Sequence, residues 1–506
     1  MWWRRRPNAI VEPMPSILAL DQGTTSSRAV LIHQDGTILG QAQHEFPQHF
    51  PAPGHVEHDP RDLVESTLRS AREVLAATGE KPAAIGITNQ RETAVLWDRR
   101  TLEPIGPAIV WQDRRTTERC AALKAQGAEA MIRARSGLVL DPYFSASKLE
   151  WMLRDPGVRR RAEAGELAFG TVDSWLVANL TGGRCHVTDP TNASRTMLYR
   201  LGASWDPDLL KMFGVPGEVL ATVVPSSGVI GETDPAVFGR PIPIAGLVGD
   251  QQAALFGQGC ARPGMAKNTY GTGAFLLLYT GESVPEPPPG LLATAAVGPL
   301  GQIGYALEGS VFIAGAVMQW LRDGLGLLAT AHESEELARS VPDAGGVYFV
   351  PAFVGLGSPH WEPDARGTIT GLTRGTTRAH LARAALESMA LSSRDLIQSM
   401  LADSSLELPV LRVDGGATAN RWLMQFQADL LGVPVERPDY AETTALGAAA
   451  LAGLAAGVWP SIDAFVGTRR YQTFLPQASV AQRQAWVRGW NRAVGATLHW
   501  ARGAGN

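Results

Sequence analysis

The chain has 506 residues, 45% hydrophobic and 19% charged, with a formal net charge of -4. It is long enough to bury a large core across roughly two to four domains, and its slightly acidic balance leaves no electrostatic footprint for nucleic acid. Cys120, Cys185 and Cys260 are far apart and lack metal-ligand spacing, which excludes a disulfide framework and a zinc site and points to a reducing cytoplasm.

The only basic cluster is Arg4 to Arg6, beside Trp2 and Trp3. It lacks the apolar core of a signal peptide. Residues 1–15 are therefore expected to be a disordered extension, or an upstream start read in front of Met14.

Residues 17–31, ILALDQGTTSSRAVL, are two short apolar runs joined by Gly23, Thr24, Thr25, Ser26 and Ser27. That is a β-hairpin signature. Its turn offers consecutive backbone N–H groups and four hydroxyls, which suit a phosphate chain, although an ordinary polar turn reads the same way. Asp21 ends the first strand, in a position to hold a metal ion through water, and Arg28 adds a positive charge.

Asp59 to Leu75 has helical spacing. Ala83 to Thr88 is a buried-strand run ending in Asn89-Gln90-Arg91-Glu92, and Ile109 to Gln112, which contains Trp111, repeats the device. In α/β sheets ligands bind at that edge. Arg91 donates a fork of hydrogen bonds and Glu92 accepts them, a combination suited to a polyhydroxyl ligand; a solvated surface pair is the alternative. Asp141-Pro142 turns the chain, Tyr143 follows as a packing aromatic or a ligand contact, and Ser145 to Asp155 reads as a helix. Residues 186–196 form a polar loop.

In residues 242–259, IPIAGLVGDQQAALFGQG, a buried strand ends at Gly249 and Asp250 opens a helix with Gln251 and Gln252. Asp250 is either a helix cap or a general base placed by a rigid strand end, and the residues alone leave both open. The first pattern returns at Asn268-Thr269-Tyr270-Gly271-Thr272-Gly273, followed by the apolar run Ala274 to Tyr279. Two such hairpins predict a duplicated fold with a cleft between its halves.

Beyond a Pro-rich loop at 284–290, residues 305–323 run from strand to helix, with Gly315 and Gln319 on the helix. Residues 350–361 form a loop, and Leu381, Ala385, Met389, Leu396 and Met400 mark an amphipathic helix. Leu411 to Asn420, LRVDGGATAN, reads as strand, Gly-Gly and helix, where Gly415 and Gly416 allow a ligand to approach closely. Ala445 to Trp459 is too short to span a bilayer and reads as a buried helix. The chain is expected to be soluble and cytoplasmic, without stable membrane insertion, with lobes at 16–258 and 259–500.

The two hairpins, the strand-end Asp and the late DGG run resemble the actin-type ATPase fold, and within it the FGGY carbohydrate kinases. Tyr143 to Asp155 is similar to one family signature, including Ser145, Lys148 and Trp151, and Gly367 to Glu387 to the other, with Gly371, Leu372, His380 and Leu381 in place. The runs DQGTTSSRA, ITNQRET, DPYFS, TNASRTM, GDQQAALFGQ, NTYGTG and VPAFVGLG resemble those of members that phosphorylate glycerol.

The resemblance implies an α/β fold of two actin-like (ribonuclease H-type) lobes, their mixed sheets flanked by helices, with an interlobe cleft. It implies ATP and Mg²⁺ as cofactors and glycerol as the small-molecule substrate; a homodimer or homotetramer is also expected. Arg91, Glu92, Tyr143, Asp250 and Gln251 would bind the substrate hydroxyls, and Trp111 and Phe275 would form the apolar wall behind its carbons. Thr24, Thr25, Ser26 and Arg28 would hold the transferring phosphates, with Thr272 on the other lobe. Gly315, Gln319, Gly416 and Asn420 would accept the nucleotide. Asp21 would position Mg²⁺ through water, with Asp250 beside it as the base that takes the proton of the attacking hydroxyl.

One run departs from the family. Some members carry a Gly-rich loop for an allosteric sugar bisphosphate, others a histidine phosphorylated by a sugar phosphotransferase system. Glu232 to Arg240 keeps little beyond the Arg and has no His, so neither control is expected. Two other readings stay open: a kinase of the same family acting on a pentulose or hexonate, and an actin-like ATP-dependent scaffold.

Overall fold

The computed structural model describes residues 14–402 and 404–503; the N-terminal arm 1–13, expected to be disordered, lies outside the described residues. Two large sheets organise the chain. The first has the strand order Ser227–Glu232, Pro243–Gly249, Ala84–Asn89, Ser16–Gln22, Ser26–His33, Ile38–Glu45. Its three middle strands run parallel, and the expected hairpin pairs antiparallel with Leu20 opposite Ala29 and Asp21 opposite Arg28. The parallel register sets Gln22 beside Asn89 and Asn89 beside Gly249. Three strands therefore end at one level, where the next residues of each chain segment meet.

Strand Ser16–Gln22 reads as a continuous apolar run because both of its faces are covered. Leu18 and Leu20 pack toward helix Pro60–Thr78 and Trp175, while Ile17 and Ala19 pack toward helix Thr443–Ala455. Helix Pro60–Thr78 starts where Asp59 accepts the Arg61 N–H and Pro60 fills the first turn; it stops at Gly79, whose φ is 68°. Helix Thr443–Ala455 is the buried helix expected from its composition, TTALGAAALAGLA. Its small side chains bring it unusually close to its neighbours: a Cβ on Gly447 would stand 1.9 Å from the Ala253 carbonyl oxygen. This helix of the second half packs on the first sheet, so the two halves share one buried layer.

The second sheet repeats the plan. Strands Ala266–Tyr270 and Ala274–Gly281 form the second hairpin, and Leu411–Asp414 lies parallel beside it. The full order is Leu292–Val297, Ile303–Val311, Ala274–Gly281, Ala266–Tyr270, Leu411–Asp414, Val435–Pro438, Tyr471–Phe474. The duplicated fold predicted from the two hairpins is thus present. Partners across adjacent strands share a face: Lys267 lies opposite Leu277, Thr269 opposite Phe275, and Glu308 opposite Leu277. Lys267, Thr269, Phe275 and Glu308 therefore belong to one face of this sheet.

One helix is shorter than its spacing suggests. The predicted Ser145 to Asp155 ends at Met152, and Asp155 instead caps the following helix Pro156–Glu163 by accepting the N–H groups of Gly157 and Val158. Pro156 is the reason, since the residue before a proline is pushed out of the helical region. Among the described residues no helix is long and apolar enough to cross a membrane.

Candidate active site

The site grows from the three strand ends. Gln90 donates its backbone N–H to the Gln22 carbonyl at 2.7 Å, and the side-chain amides of Gln22 and Gln90 both donate to the Gly23 carbonyl. The phosphate-type turn is thereby pinned to the neighbouring strand end. Beyond Gln90 the chain folds so tightly that Thr93 N–H donates to the Arg91 carbonyl at 2.7 Å, and Glu92 takes a φ of 60°. A non-glycine residue held there costs on the order of 1–3 kcal/mol, a strain that concentrates at functional sites.

Arg91 and Glu92 are buried, not a solvated pair. Arg91 Nη1 and Nη2 donate to the two oxygens of Glu308 at 2.7 and 3.1 Å, and Nε faces Asp250 Oδ1 at 3.2 Å. Arg195 Nε donates to Glu92 Oε1 at 2.6 Å, and its Nη2 donates to Glu308 Oε1 at 3.0 Å. Burial raises the Glu308 carboxyl, but the guanidiniums of Arg195 and Arg91 outweigh it and carry the group down to about 2. Burial pushes Glu92 the other way, with both arginines opposing.

Asp250 opens helix Asp250–Gly257 from the end of strand Pro243–Gly249, with Gly249 as the cap residue. Its Oδ1 accepts the Gln251 N–H at 2.7 Å. Its side chain stays 31% exposed while those of Arg91 and Glu92 are each 2% exposed, so the carboxylate opens toward the cleft. Desolvation raises its pKa, partly offset by Arg91. Asp21 is pushed up to about 7 by burial, against Arg28 and with Asp250 adding to the rise. Two neighbouring carboxylates that both resist ionisation fit a divalent cation, which would relieve them. Among the described residues no group of three or more acidic, His or Cys side chains forms a ready-made metal cage, so such an ion would depend on water and phosphate oxygens, as suits Mg²⁺.

Trp111, expected to share an apolar wall with Phe275, instead packs on Tyr143, edge to face at 5.6 Å between centroids. Trp111 Nε1 donates to Thr24 Oγ1 at 3.0 Å, tying this aromatic pair to the phosphate turn. Lys148 Nζ donates to the Tyr143 and Phe144 carbonyls at 2.5 and 3.2 Å, holding the loop that carries the tyrosine. Phe275 is half-buried on the facing sheet. Gln251 Oε1 accepts from the buried Lys267 at 2.6 Å, and Lys267 also donates to Thr269, which leaves the Gln251 amide nitrogen directed elsewhere.

On the other side of the cleft, a cavity of about 400 Å³ is lined by Thr272, Gly315, Gln319, Gly416 and Asn420, with Met318, Leu386 and Met389 as apolar wall. All five expected nucleotide positions of the second half thus share one space. Gly415, with a φ of 89° and a virtual Cβ 2.4 Å from the Tyr270 carbonyl oxygen, admits no side chain. The Asn420 side chain is already occupied: its oxygen accepts the Leu423 N–H at 2.9 Å and its amide donates to Ser334. Arg28 is occupied too, since it pairs with Glu442 and donates to Gln43 Oε1 at 2.6 Å; Ser26 accepts from Gln43 Nε2. Thr25 is exposed at the turn.

Three buried charged side chains of this cluster escaped the sequence reading: Arg195, Lys267 and Glu308. Glu308 left a trace, a lone charge in the largely apolar strand IGYALEGSV, whereas Lys267 sits in the polar run AKNTY. Arg195 left none, being one polar residue of a polar loop. That loop does more than carry it. Thr191 accepts the Gly249 N–H at 2.8 Å and donates to Asp189 at 2.7 Å, while Asn192 and Asn89 exchange side-chain hydrogen bonds. The run is not a loop throughout, since it contains strand Val187–Thr188 and the short helix Pro190–Ala193 capped by Asp189. It clamps both strand ends that deliver Arg91 and Asp250.

Residues 16–257 match the N-terminal domain of the FGGY family of carbohydrate kinases, and residues 266–456 match its C-terminal domain. The glycerol kinase of Carboxydothermus hydrogenoformans is 56% identical over 491 residues, 96% of this chain and 98% of that protein. That of Trichlorobacter lovleyi is 57% identical over 497 residues, 97% and 100% of the two chains. The crystal structure of Plasmodium falciparum glycerol kinase with ADP aligns at a TM-score of 0.92 and 35% identity, covering 96% of this chain and 98% of that one. A gluconate kinase from Lactobacillus acidophilus shares the fold, with a TM-score of 0.86 at 20% identity over 96% and 98%. With both of its domains matched in order and its two hairpins facing a common cleft, the chain belongs to the FGGY family of carbohydrate kinases.

Proposed function

We propose that this chain transfers the terminal phosphoryl group of ATP to glycerol, giving sn-glycerol 3-phosphate, with Asp250 as general base. The observation that carries this reading is the meeting of Arg91, Glu92 and Asp250 at the ends of adjacent parallel strands, beside the Trp111–Tyr143 wall. Relatives more than half identical over nearly the whole chain are glycerol kinases, which supports the choice of substrate.

Arg91 donates to substrate hydroxyls and Glu92 accepts from them, while the aromatic edge covers the carbons. Asp250, with its pKa raised by burial, takes the proton of the attacking hydroxyl as the phosphoryl group moves across. The turn from Gly23 to Ser26 and Thr272 of the opposite hairpin present backbone N–H groups and hydroxyls to the phosphates. Mg²⁺, held by Asp21 through water and by Asp250, would neutralise the phosphate charge that a loose transition state spreads over its oxygens. The walls on both sides keep competing water from the phosphoryl group.

The test is glycerol-dependent ADP formation by the purified chain, run beside 1,2- and 1,3-propanediol. A site that hydrogen-bonds every hydroxyl should reject an analogue lacking one by up to ~10⁴-fold. Equal turnover of propanediol and glycerol, or faster turnover of a pentulose, would overturn the assignment.

A further inference from the structure

We propose that Glu308, contributed by the second half of the chain, is a positioning residue for polyol recognition: it holds Arg91 and Arg195 in the arrangement that leaves the second carboxylate oxygens of Glu92 and Asp250, Oε2 and Oδ2, for the substrate. The inference rests on the glycerol reading above and extends it to residues that touch no substrate.

Glu308 hydrogen-bonds both guanidiniums, through Oε2 to Arg91 Nη1 and Oε1 to Arg91 Nη2 and Arg195 Nη2, at 2.7, 3.1 and 3.0 Å. All three side chains are at most 5% exposed. Its strand, Ile303–Val311, is hydrogen-bonded on both sides, so the carboxylate cannot drift. The two arginines it serves are supported separately: Arg91 by its strand end and Arg195 by the clamped polar loop.

Without the Glu308 charge, the two buried cations would keep only Glu92 and Asp250 as carboxylate partners, with Gln252 Oε1 a neutral acceptor 3.3 Å from Arg91 Nη1. Arg91 Nε already stands 3.8 Å from Glu92 Oε1 and 3.2 Å from Asp250 Oδ1, and a guanidinium released from Glu308 would close on them. Acceptors meant for hydroxyls would then be spent inside the protein. A buried guanidinium does not stay unpaired, because leaving it so costs far more than a shift of a side chain. The nucleotide cavity has none of these groups in its lining and would be spared.

The experiment compares Glu308→Gln and Glu308→Asp with the parent enzyme, measuring KM for glycerol and for ATP separately. The Gln variant should raise the glycerol KM ~10-fold or more, the scale of a charged hydrogen bond, with the ATP KM within about twofold. The Asp variant keeps the charge and should recover most of the loss. Arg195→Lys, which retains a cation but cannot serve Glu92 and Glu308 together, should move the same two constants in the same way, and it carries the test if the Gln variant does not fold. Parallel increases in both KM values would reduce Glu308 to a structural role, and an unchanged glycerol KM in either folded variant would overturn the proposal. Absence of glycerol-dependent activity in the parent enzyme would instead overturn the substrate assignment.

Discussion

The two sides of the cleft are built by opposite means. Around Arg91 the chain buries charge: two arginines, two glutamates and an aspartate lie within hydrogen-bonding or ion-pair distance of one another. Around Gly416 and Thr272 the cavity is lined mainly by glycine, alanine, methionine and uncharged polar residues, and the Arg322 side chain in its lining is 40% exposed rather than buried. A small polyol offers little surface, so its recognition must come from strong directional donors and acceptors fixed beforehand. A nucleotide brings its own charge and area, and the protein need only present backbone N–H groups and get side chains out of the way. The contrast explains why one side is rigid with ion pairs and the other spacious.

Substitutions on the two sides should therefore fail differently. The largest effect falls on chemistry: Asp250→Asn should lower kcat by ~10²–10⁴-fold, with only a modest change in glycerol KM, and an unchanged kcat would remove it from the base role. Next comes Gly415→Ala, which drives a Cβ into the Tyr270 carbonyl at a positive φ. It should cost about 1–3 kcal/mol of stability and raise the KM for ATP while leaving that for glycerol within about twofold; the reverse split would erase the contrast between the sides.

Acid should separate the two sides as well. Glu308 falls from an ordinary 4.5 to about 2 in the folded protein because Arg195 and Arg91 outweigh its burial. A lowered folded value means that its stabilisation is whole above about pH 4.5 and is lost as pH falls through about 2. Unfolding followed from pH 5 to 2 should show a steeper loss for the parent enzyme than for Glu308→Gln, and equal slopes would remove the Glu308 ion pairs as its source. The smallest effect is that of Trp111→Phe, which keeps the aromatic edge but loses the hydrogen bond to Thr24. That bond is worth about 1 kcal/mol, so catalytic efficiency should drop roughly fivefold; no change would show that wall and phosphate turn act independently.

Much of this could be read along the chain, and the reason is range. The hairpin at 16–33, the strand ends at Asn89 and Gly249, and the Gly-Gly turn at 415–416 are local patterns, set by alternation, turn residues and the backbone freedom of glycine. Their repetition announced a duplicated fold with a cleft. Thr272 and Gly416, flagged by their local runs, line one cavity with Gly315, Gln319 and Asn420, whose role only the family resemblance implied.

What stayed hidden depends on partners far away. Arg91 and Glu308 are separated by 217 positions, and nothing near either residue tells which charge will neutralise it. Arg28 looked free for phosphate until Glu442 was placed beside it, and nothing in the run of helix Thr443–Ala455, within the matched C-terminal domain, tells that it packs on the first sheet. Side-chain type and local spacing specify which groups a segment can offer. Which of them remain available to a ligand is decided only when burial strips away water and every charge must find a counterpart across the folded molecule.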